Sequence, residues 1–232
     1  MSGYPKQEEP EMKPLAPTLF GISILACGIN AMAAEDAAIR HYSYPLEGIE
    51  EVQIDGSVGT MEIHYSQGDE LKVELELEGT RRMWVLGKRD VSDIELMGKV
   101  HGDRLNLSLK DHDTEHVKVH WRVELPSVER TRINMGVGAI EGEFGDTELT
   151  LDLGVGEGDI TLVRSLAGRV ESSAGVGSAQ LLGASDQVSH RAMVSESVYG
   201  YGEGSRKMEL SVGVGEMKVY LSDNKLNTAQ SW

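Results

Sequence analysis

A short glycine motif that recurs along the second half of the chain constrains its fold more than any other feature. Gly-Val-Gly occupies residues 136–138, 154–156, 175–177 and 213–215. Ser57-Val58-Gly59 is a looser fifth copy. The central valines of the four strict copies are 18, 21 and 38 residues apart, and 38 is twice 19. A period near 20 residues, built of strands and glycine corners, is typical of a β-solenoid. It predicts one degenerate coil near residues 193–198 and about four coils between Val58 and Val137.

The apolar residues change parity at each copy of the motif. Before the first copy they are even-numbered, as in Val52 and Ile54, and after it they are odd-numbered, as in Met61 and Ile63. A regular strand cannot do this, because its side chains alternate strictly between two faces. An extra residue at a bend produces the change, and glycine permits the backbone angles of a bend. We therefore interpret each motif as a corner, with its valine predicted to point inward.

Alternation of apolar and polar residues predicts strands through the rest of the chain. The clearest runs are residues 52–54, 61–65, 71–77, 105–109 and 117–125. Turn residues such as Gly68-Asp69 and Gly102-Asp103 separate them. The sequence thus predicts an all-β fold: a β-solenoid or β-helix-like single domain over residues 34–232, with Gly-x-Gly corners at a period near 20 residues.

The N-terminal region has the pattern of an export signal. Residues 14–34 carry no charge, Lys13 stands just before them, and Ala31-Met32-Ala33 has small residues at the −3 and −1 positions. This pattern predicts that residues 1–33 form a signal peptide region, cleaved between Ala33 and Ala34. Because acidic residues are atypical at the start of such a signal, Met12 is the predicted true start.

Two alternatives stay open for this segment. Ile24-Leu25-Ala26-Cys27 resembles a bacterial lipobox, which would make Cys27 the lipidated residue of an outer-membrane lipoprotein. An uncleaved run of about 20 apolar residues would instead anchor the chain in a bilayer. All three hypotheses place the folded part outside the cytoplasm, as a periplasmic, secreted or tethered protein. Cys27 is the single cysteine, which excludes a disulfide framework and a cysteine-ligated structural zinc site.

The charge of the chain narrows the class of partner. With 38 Asp plus Glu against 22 Lys plus Arg, the formal net charge is −16, which argues against binding to nucleic acid. One basic segment departs from this background. Its candidate contact residues are Arg81, Arg82, Trp84, Lys88 and Arg89. They are typical of a loop that contacts anionic lipid headgroups or an acidic partner; the alternative is a hairpin loop whose Trp84 packs back on the sheet.

The three regularly spaced histidines are the first candidate for metal chemistry. On a helix, His112, His116 and His120 would line one face and indicate a metal site. The alternating apolar residues from Val117 onward instead predict a strand, which places His116 and His120 on its solvated face.

Other chemical motifs are weak. Gly154–Asp159 resembles a calcium-binding nonapeptide repeat, but in one copy and with two glycines replaced. Carboxylate pairs such as Glu141 and Glu143 would serve a glycosidase only if they flanked a cleft. No P-loop and no nucleophile elbow is present in the sequence. We therefore predict no catalytic residue, no bound metal and no cofactor.

The corner segments resemble the putative adhesin family of bacterial β-strand-repeat envelope proteins of unknown function. The segments 133–140, 151–162 and 210–219 carry the resemblance, which extends over most of residues 45–222. Members of that family are similar to the head domains of putative autotransporter adhesins. The resemblance implies an all-β, β-helix-like fold and an extracytoplasmic location, and it supplies no catalytic residues.

Together these observations favour a non-enzymatic, extracytoplasmic β-solenoid module, adhesin-like, that binds an unidentified protein or glycan of the envelope. Contact with a membrane is expected only through lipidation at Cys27 or through the 81–89 loop. The alternatives are a lipid-anchored envelope protein with a structural or stress-related role, and an enzyme that acts on envelope glycan through carboxylates on the sheet.

Overall fold

The computed structural model describes residues 37–80, 89–110 and 116–223, which form strands and connecting turns. The strands are β1 Ala37–Pro45, β2 Glu51–Ser66, β3 Glu70–Gly79, β4 Leu96–His101, β5 Arg104–Leu109, β6 Val117–Pro126, β7 Arg130–Phe144, β8 Glu148–Val163, β9 Ala167–Leu182, β10 Ser185–Ala192, β11 Ser195–Tyr201 and β12 Arg206–Ser222. The predicted all-β class is confirmed. No helix within the described ranges is long and apolar enough to cross a membrane. The predicted cleavage site between Ala33 and Ala34 lies outside the described residues, and so does Cys27.

Five long strands form a parallel stack in the order β2-β7-β8-β12-β9. Each carries one copy of the glycine motif near its middle, and the copies are in register: Val58 lies opposite Val137, and Val137 opposite Val155. On β12, Val214 lies between Val155 and Val176. Consecutive stacking, which a solenoid requires, therefore stops at β8, because the last strand inserts before β9.

Two details of the predicted repeat are wrong. Residues 193–198 do not form a coil of the stack; they belong to an antiparallel hairpin of β10 and β11 that pairs with the first half of β9. The segment between Val58 and Val137 does not form the four predicted coils among its described residues, although β5 and β6 run parallel to the first and second halves of β2. It folds into β3 to β6, in which β3 runs antiparallel to β1 and β6, and β4 runs antiparallel to β5.

The glycine line divides the sheet into two halves that share one core. Before the motif, β2 pairs with β5; after it, β2 pairs with β6. Ile54 before the corner and Met61 after it are both fully buried in the same hydrophobic cluster, which confirms the predicted change of parity. The apolar rows of both halves therefore face inward, and burial of these rows is the main source of stability.

The valines of the motif do not point inward, so that part of the prediction is wrong. All five are 45–47% exposed. On β7, the last buried residue before the corner is Met135 and the first one after it is Ile140, so the four residues between them lie on the outer side. These four residues form the bend, and the valine lies at its outer edge.

The second glycine of each motif is required by the backbone of the next strand. Its φ lies between 137° and 151° in all five copies, a region that residues with a Cβ rarely adopt. A Cβ on Gly156 would overlap the carbonyl oxygen of Gly138, and a Cβ on Gly138 would overlap that of Gly59. The strands thus approach each other at the corner through backbone atoms, and the glycines form a continuous row.

We expect Gly156→Ala to lower the free energy of unfolding by about 3 kcal/mol or more, because backbone strain and overlap with a rigid carbonyl add together. The matched control is Gly48→Ala, since Gly48 also has a positive φ of 76° but no atom near its absent Cβ. That variant should lose only about 1–2 kcal/mol. Urea unfolding of both variants measures the difference, and equal losses would contradict the role of the neighbouring carbonyl.

Tyr44 joins the two halves of the sheet at one end of the core. It lies on β1, yet its ring contacts Gly98 on β4, where a Cβ would overlap the ring. On the same strand, Arg40 donates hydrogen bonds to the carbonyl oxygens of Val91 (2.9 Å) and Ser92 (2.8 Å). Burial raises the pKa of Tyr44 to about 12, and the neighbouring Tyr42 adds to the shift.

Because the pKa of Tyr44 is raised in the folded state, its contribution to stability is complete below the unfolded value near 10 and is lost as pH rises towards 12. We expect Tyr44→Phe to lose less of its unfolding free energy than the wild type between pH 9 and 11.5. Urea midpoints at several pH values check this, with Tyr220→Phe as the control at a half-buried tyrosine on β12. Parallel pH profiles of the wild type and Tyr44→Phe would contradict it.

Candidate interaction surface

An exposed row of valines runs across the parallel stack along the outer edge of the bend. Val194, in the turn between β10 and β11, extends it, because Gly177 donates a 2.9 Å backbone hydrogen bond to the Val194 carbonyl oxygen beside Val176. Val194 is 61% exposed, and its neighbour Met193 is fully exposed. We call this row the valine ridge; its members in spatial order are Val58, Val137, Val155, Val214, Val176 and Val194. Strands lie about 4.8 Å apart, so the ridge is about 24 Å long.

Carboxylates flank the middle of the ridge. Residues 133–163, which include β7 and β8, contain seven Asp or Glu and no Lys, Arg or His. Glu141 on β7 lies directly opposite Asp159 on β8, and both are exposed on the outer face with Glu157. Within the described residues, neither Glu141 nor Glu157 has an ion-pair partner. We call Glu141, Glu157 and Asp159 the acidic flank.

Cations balance the carboxylates on β2 and β12, the strands on either side of β7 and β8. On β6, Arg122 donates to Glu74 Oε1 at 2.5 Å and to Glu62 Oε2 at 3.4 Å. On β12, Lys218 lies 2.9 Å from Glu216 Oε2, and this hydrogen bond lowers the pKa of Glu216, to which Ser178 also donates. The unbalanced negative charge therefore concentrates at Glu141 and Glu157, next to the centre of the valine ridge, whereas Asp159 lies opposite Lys218 on β12.

A second polar feature lies at the starts of the same strands. Glu51 is only 5% exposed and accepts hydrogen bonds at Oε2 from Arg104 Nη2 (3.0 Å) and Arg130 Nε (3.3 Å). Its Oε1 is 3.8 Å from Arg132 Nε and has no hydrogen-bond partner among the described residues. A shallow cleft of about 180 Å³ with Lys207 on its border adjoins this cluster. Three arginines surround one buried carboxylate and compensate its charge, so the cluster is first of all a structural feature.

Of the candidate contact residues, Arg81, Arg82, Trp84 and Lys88 lie outside the described residues. Arg89 is described, and its side chain is only 11% exposed, with Nη2 3.7 Å from Asp93 Oδ2. Its backbone N–H donates to the Thr80 carbonyl oxygen at 3.2 Å. Arg89 is therefore held at the base of the segment.

The strand prediction is confirmed for His120 but is wrong for His116, which lies in the turn before the strand. β6 begins at Val117 as predicted, and His120 lies on its polar face, 2.5 Å from Thr60 Oγ1 and 3.6 Å from Glu62 Oε1. His116 precedes the strand with a φ of 63°, and His112 lies outside the described residues. No group of three or more His, Cys, Asp or Glu in the described ranges is placed to hold a metal ion.

The other candidate motifs lie on open surface. Gly154–Asp159 forms the corner of β8, with Glu157 and Asp159 on the outer face. Glu143 lies on the outer face of β7, as Glu141 does, and neither lines the cleft beside Glu51. The carboxylate pairs found in the sequence thus share a face, and they do not flank a cleft of the kind that glycosidases use.

The valine ridge was missed in the sequence because each valine was assigned to the inner row. Alternation alone places Val137 in the same row as Ile133 and Met135, so the sequence carries no signal that separates it from them. Its exposure follows from the backbone at the bend.

No protein-family model matches the chain, and no curated protein matches it. The fold is similar to that of a putative cell adhesion protein from Clostridium sporogenes, with a TM-score of 0.51 and 15% identity. That likeness covers 80% of this chain and 100% of the other.

Two further solved structures match more weakly. They are putative adhesins from Parabacteroides merdae and Parabacteroides distasonis, each with a TM-score of 0.28, at 10% and 13% identity. The matches cover 62% of this chain and 57% and 58% of those proteins. The clostridial likeness shows a shared fold, in agreement with the all-β fold that the corner motif implies.

Proposed function

We propose that this chain is a non-enzymatic, adhesin-like module that acts outside the cytoplasm and binds a protein or glycan partner through the outer face of its parallel stack. The observation that carries the proposal is the valine ridge. Monomeric soluble proteins seldom expose a continuous apolar row, and such rows mark interaction sites when polar residues border them. Here the row crosses neighbouring strands and is bordered by carboxylates.

The architecture supports a binding role. The parallel stack is solenoid-like in its repeated corners, although its strand order is not sequential, and stacks of this kind present rigid, extended faces. The backbone hydrogen bonds of five paired strands fix the spacing of the ridge. Binding therefore needs little ordering of the protein itself, which lowers the entropic cost of association.

A non-enzymatic role has two supports. The solved structures that this chain matches are named as a putative cell adhesion protein and putative adhesins. In addition, the carboxylate pairs of β7 and β8 lie on an exposed outer face, whereas acid–base catalysis on glycans requires two carboxyl groups on opposite sides of the bound sugar.

The extracytoplasmic location rests on the export signal and on the resemblance of the corner motif. The intact mass of the protein from its native cell envelope tests it. We expect a mass that corresponds to residues 34–232. A mass that begins at Cys27 with added acyl chains would favour the lipid-anchored alternative, and a mass that retains residues 12–33 without modification would contradict cleavage.

Binding by the whole chain to immobilised envelope proteins and glycans tests the proposed activity. We expect Val137→Thr, Val155→Thr and Val214→Thr together to weaken retention about tenfold, because threonine keeps the shape of valine but not its apolar surface. A second variant changes Arg81, Arg82 and Lys88 to Glu and tests the contact loop, and we expect it to weaken retention as well. Arg89 is kept, because its side chain is mostly buried beside Asp93.

The control for the ridge variant is Ile39→Thr with Val100→Thr, which removes exposed apolar groups from the opposite end of the sheet. New reducing ends on the glycans after incubation would contradict a non-enzymatic role. Retention that neither the ridge nor the loop variant changes would contradict a binding role for both surfaces.

A further inference from the structure

The valine ridge and the acidic flank together specify the chemistry of one kind of partner. We propose that the ridge binds a basic amphipathic helix, which lies along it with an apolar stripe on the valines and Lys or Arg side chains over the acidic flank. This inference rests on the proposed function and identifies the class of partner that the same surface recognises.

The spacing of the ridge favours a helix. Neighbouring valines are about 4.8 Å apart, because they occupy adjacent strands. A helix presents one residue per turn to a given line, at about 5.4 Å, so its apolar stripe keeps close to this spacing. An extended strand presents same-face residues about 6.7 Å apart, so its side chains do not match the spacing of the valines. A ridge of about 24 Å corresponds to about 16 helical residues.

The charge of the flank determines the polar face of the partner. Glu141, Glu157 and Asp159 lie on one side of the ridge, and Asp152 lies on the other, on the outer face of the first half of β8. Cations that flank an apolar stripe on a helix reach both sides of the ridge at once. They meet Glu141 and Glu157, which have no ion-pair partner within the described residues, and Asp159, which lies opposite Lys218. Such attraction also accelerates encounter.

The same charges oppose two other occupants. A second copy of the chain would bring its own acidic flank to the ridge, and each copy carries a formal charge of −16. An anionic membrane surface has the same sign as the flank and would be repelled for the same reason. Like charges at an interface act against wrong partners, so the flank also contributes to specificity.

The probe is a synthetic peptide of about 16 residues with equal numbers of Leu and Lys, arranged with helical periodicity. Its control is an isomer of identical composition in which Leu and Lys alternate, as in a strand. At about 0.15 M salt, we expect the helical isomer to bind the full chain at least about tenfold more tightly than the alternating one. Isothermal titration calorimetry measures both.

Two variants of the chain separate the contributions of the ridge and the flank. The variant with Val137→Thr, Val155→Thr and Val214→Thr should weaken binding of the helical isomer about tenfold without a change in its salt dependence. The variant with Glu141→Gln, Glu157→Gln and Asp159→Asn should weaken binding and reduce its salt dependence. Circular dichroism and thermal unfolding verify that both variants remain folded.

Matched controls alter the same chemistry elsewhere. Ile39→Thr, Val100→Thr and Val188→Thr remove three exposed apolar groups outside the ridge. Glu47→Gln, Asp69→Asn and Glu203→Gln remove three carboxylates from turns. Both control variants should bind the helical isomer as the wild type does.

Several results would overturn the inference. Equal affinity for the two isomers would reduce the effect to simple attraction between opposite charges. Ridge-dependent binding to phosphatidylglycerol vesicles would assign the ridge to a membrane, and ridge-dependent self-association in sedimentation velocity would assign it to a second copy. If adhesion of the whole chain requires the ridge but the peptide does not bind, this inference fails while the proposed function stands.

Discussion

The close approach of backbone to backbone at the glycine row is the constraint on which the rest of the structure depends. In β7, β8, β12 and β9, a carbonyl oxygen of the neighbouring strand occupies the place where the second glycine of the motif would carry a Cβ. Every long strand must therefore bend at the same point of its register. Because the bends coincide, the apolar rows before and after them align across the stack and enclose one core. Ser57, which stands where the other four copies have their first glycine, fits this account. Pairing of β2 with β5 ends at Asp55, and pairing with β6 begins at Thr60, so the described residues place no paired strand beside Ser57 on that side.

The bend also determines what the outer surface presents. The residue between the two glycines lies at the outer edge, where nothing inside the molecule packs against it. A β-branched residue is a sound local choice for extended backbone, but threonine would serve equally well in that respect. Valine at all five corners is therefore not explained by burial, since each side chain is nearly half exposed. The interaction surface that we propose would account for it, and the absence of Lys and Arg from residues 133–163 gives the same surface a distinct charge.

Local physical rules were enough to predict the strands with clear alternation, the corners and the inner rows, but they did not identify β1, β4, β10 or β11. The parity change at Ile54 and Met61 required two inward faces, and the alternation from Val117 decided between a strand and a helix. Strand order was not accessible in the same way. A spacing of 38 residues fits one missing coil, but it fits a hairpin that leaves the stack equally well, and side-chain periodicity is identical in both cases. The valine ridge was lost to a different cause, because an apolar residue was assumed to be buried, although much of any folded surface is apolar. The contact loop stays a prediction, since all but Arg89 of its residues lie outside the described ranges.

The position of β12 between β8 and β9 has a consequence for the order in which the chain acquires its structure. β8 and β9 follow each other in sequence, yet each lacks one of its two neighbours until Arg206–Ser222 has been synthesised. The stack therefore cannot grow coil by coil behind the ribosome, as a sequential repeat array can. β9 joins the stack only when β12 pairs between it and β8. This order is compatible with the export that we propose, because the final step of folding then coincides with the arrival of the C-terminal strand.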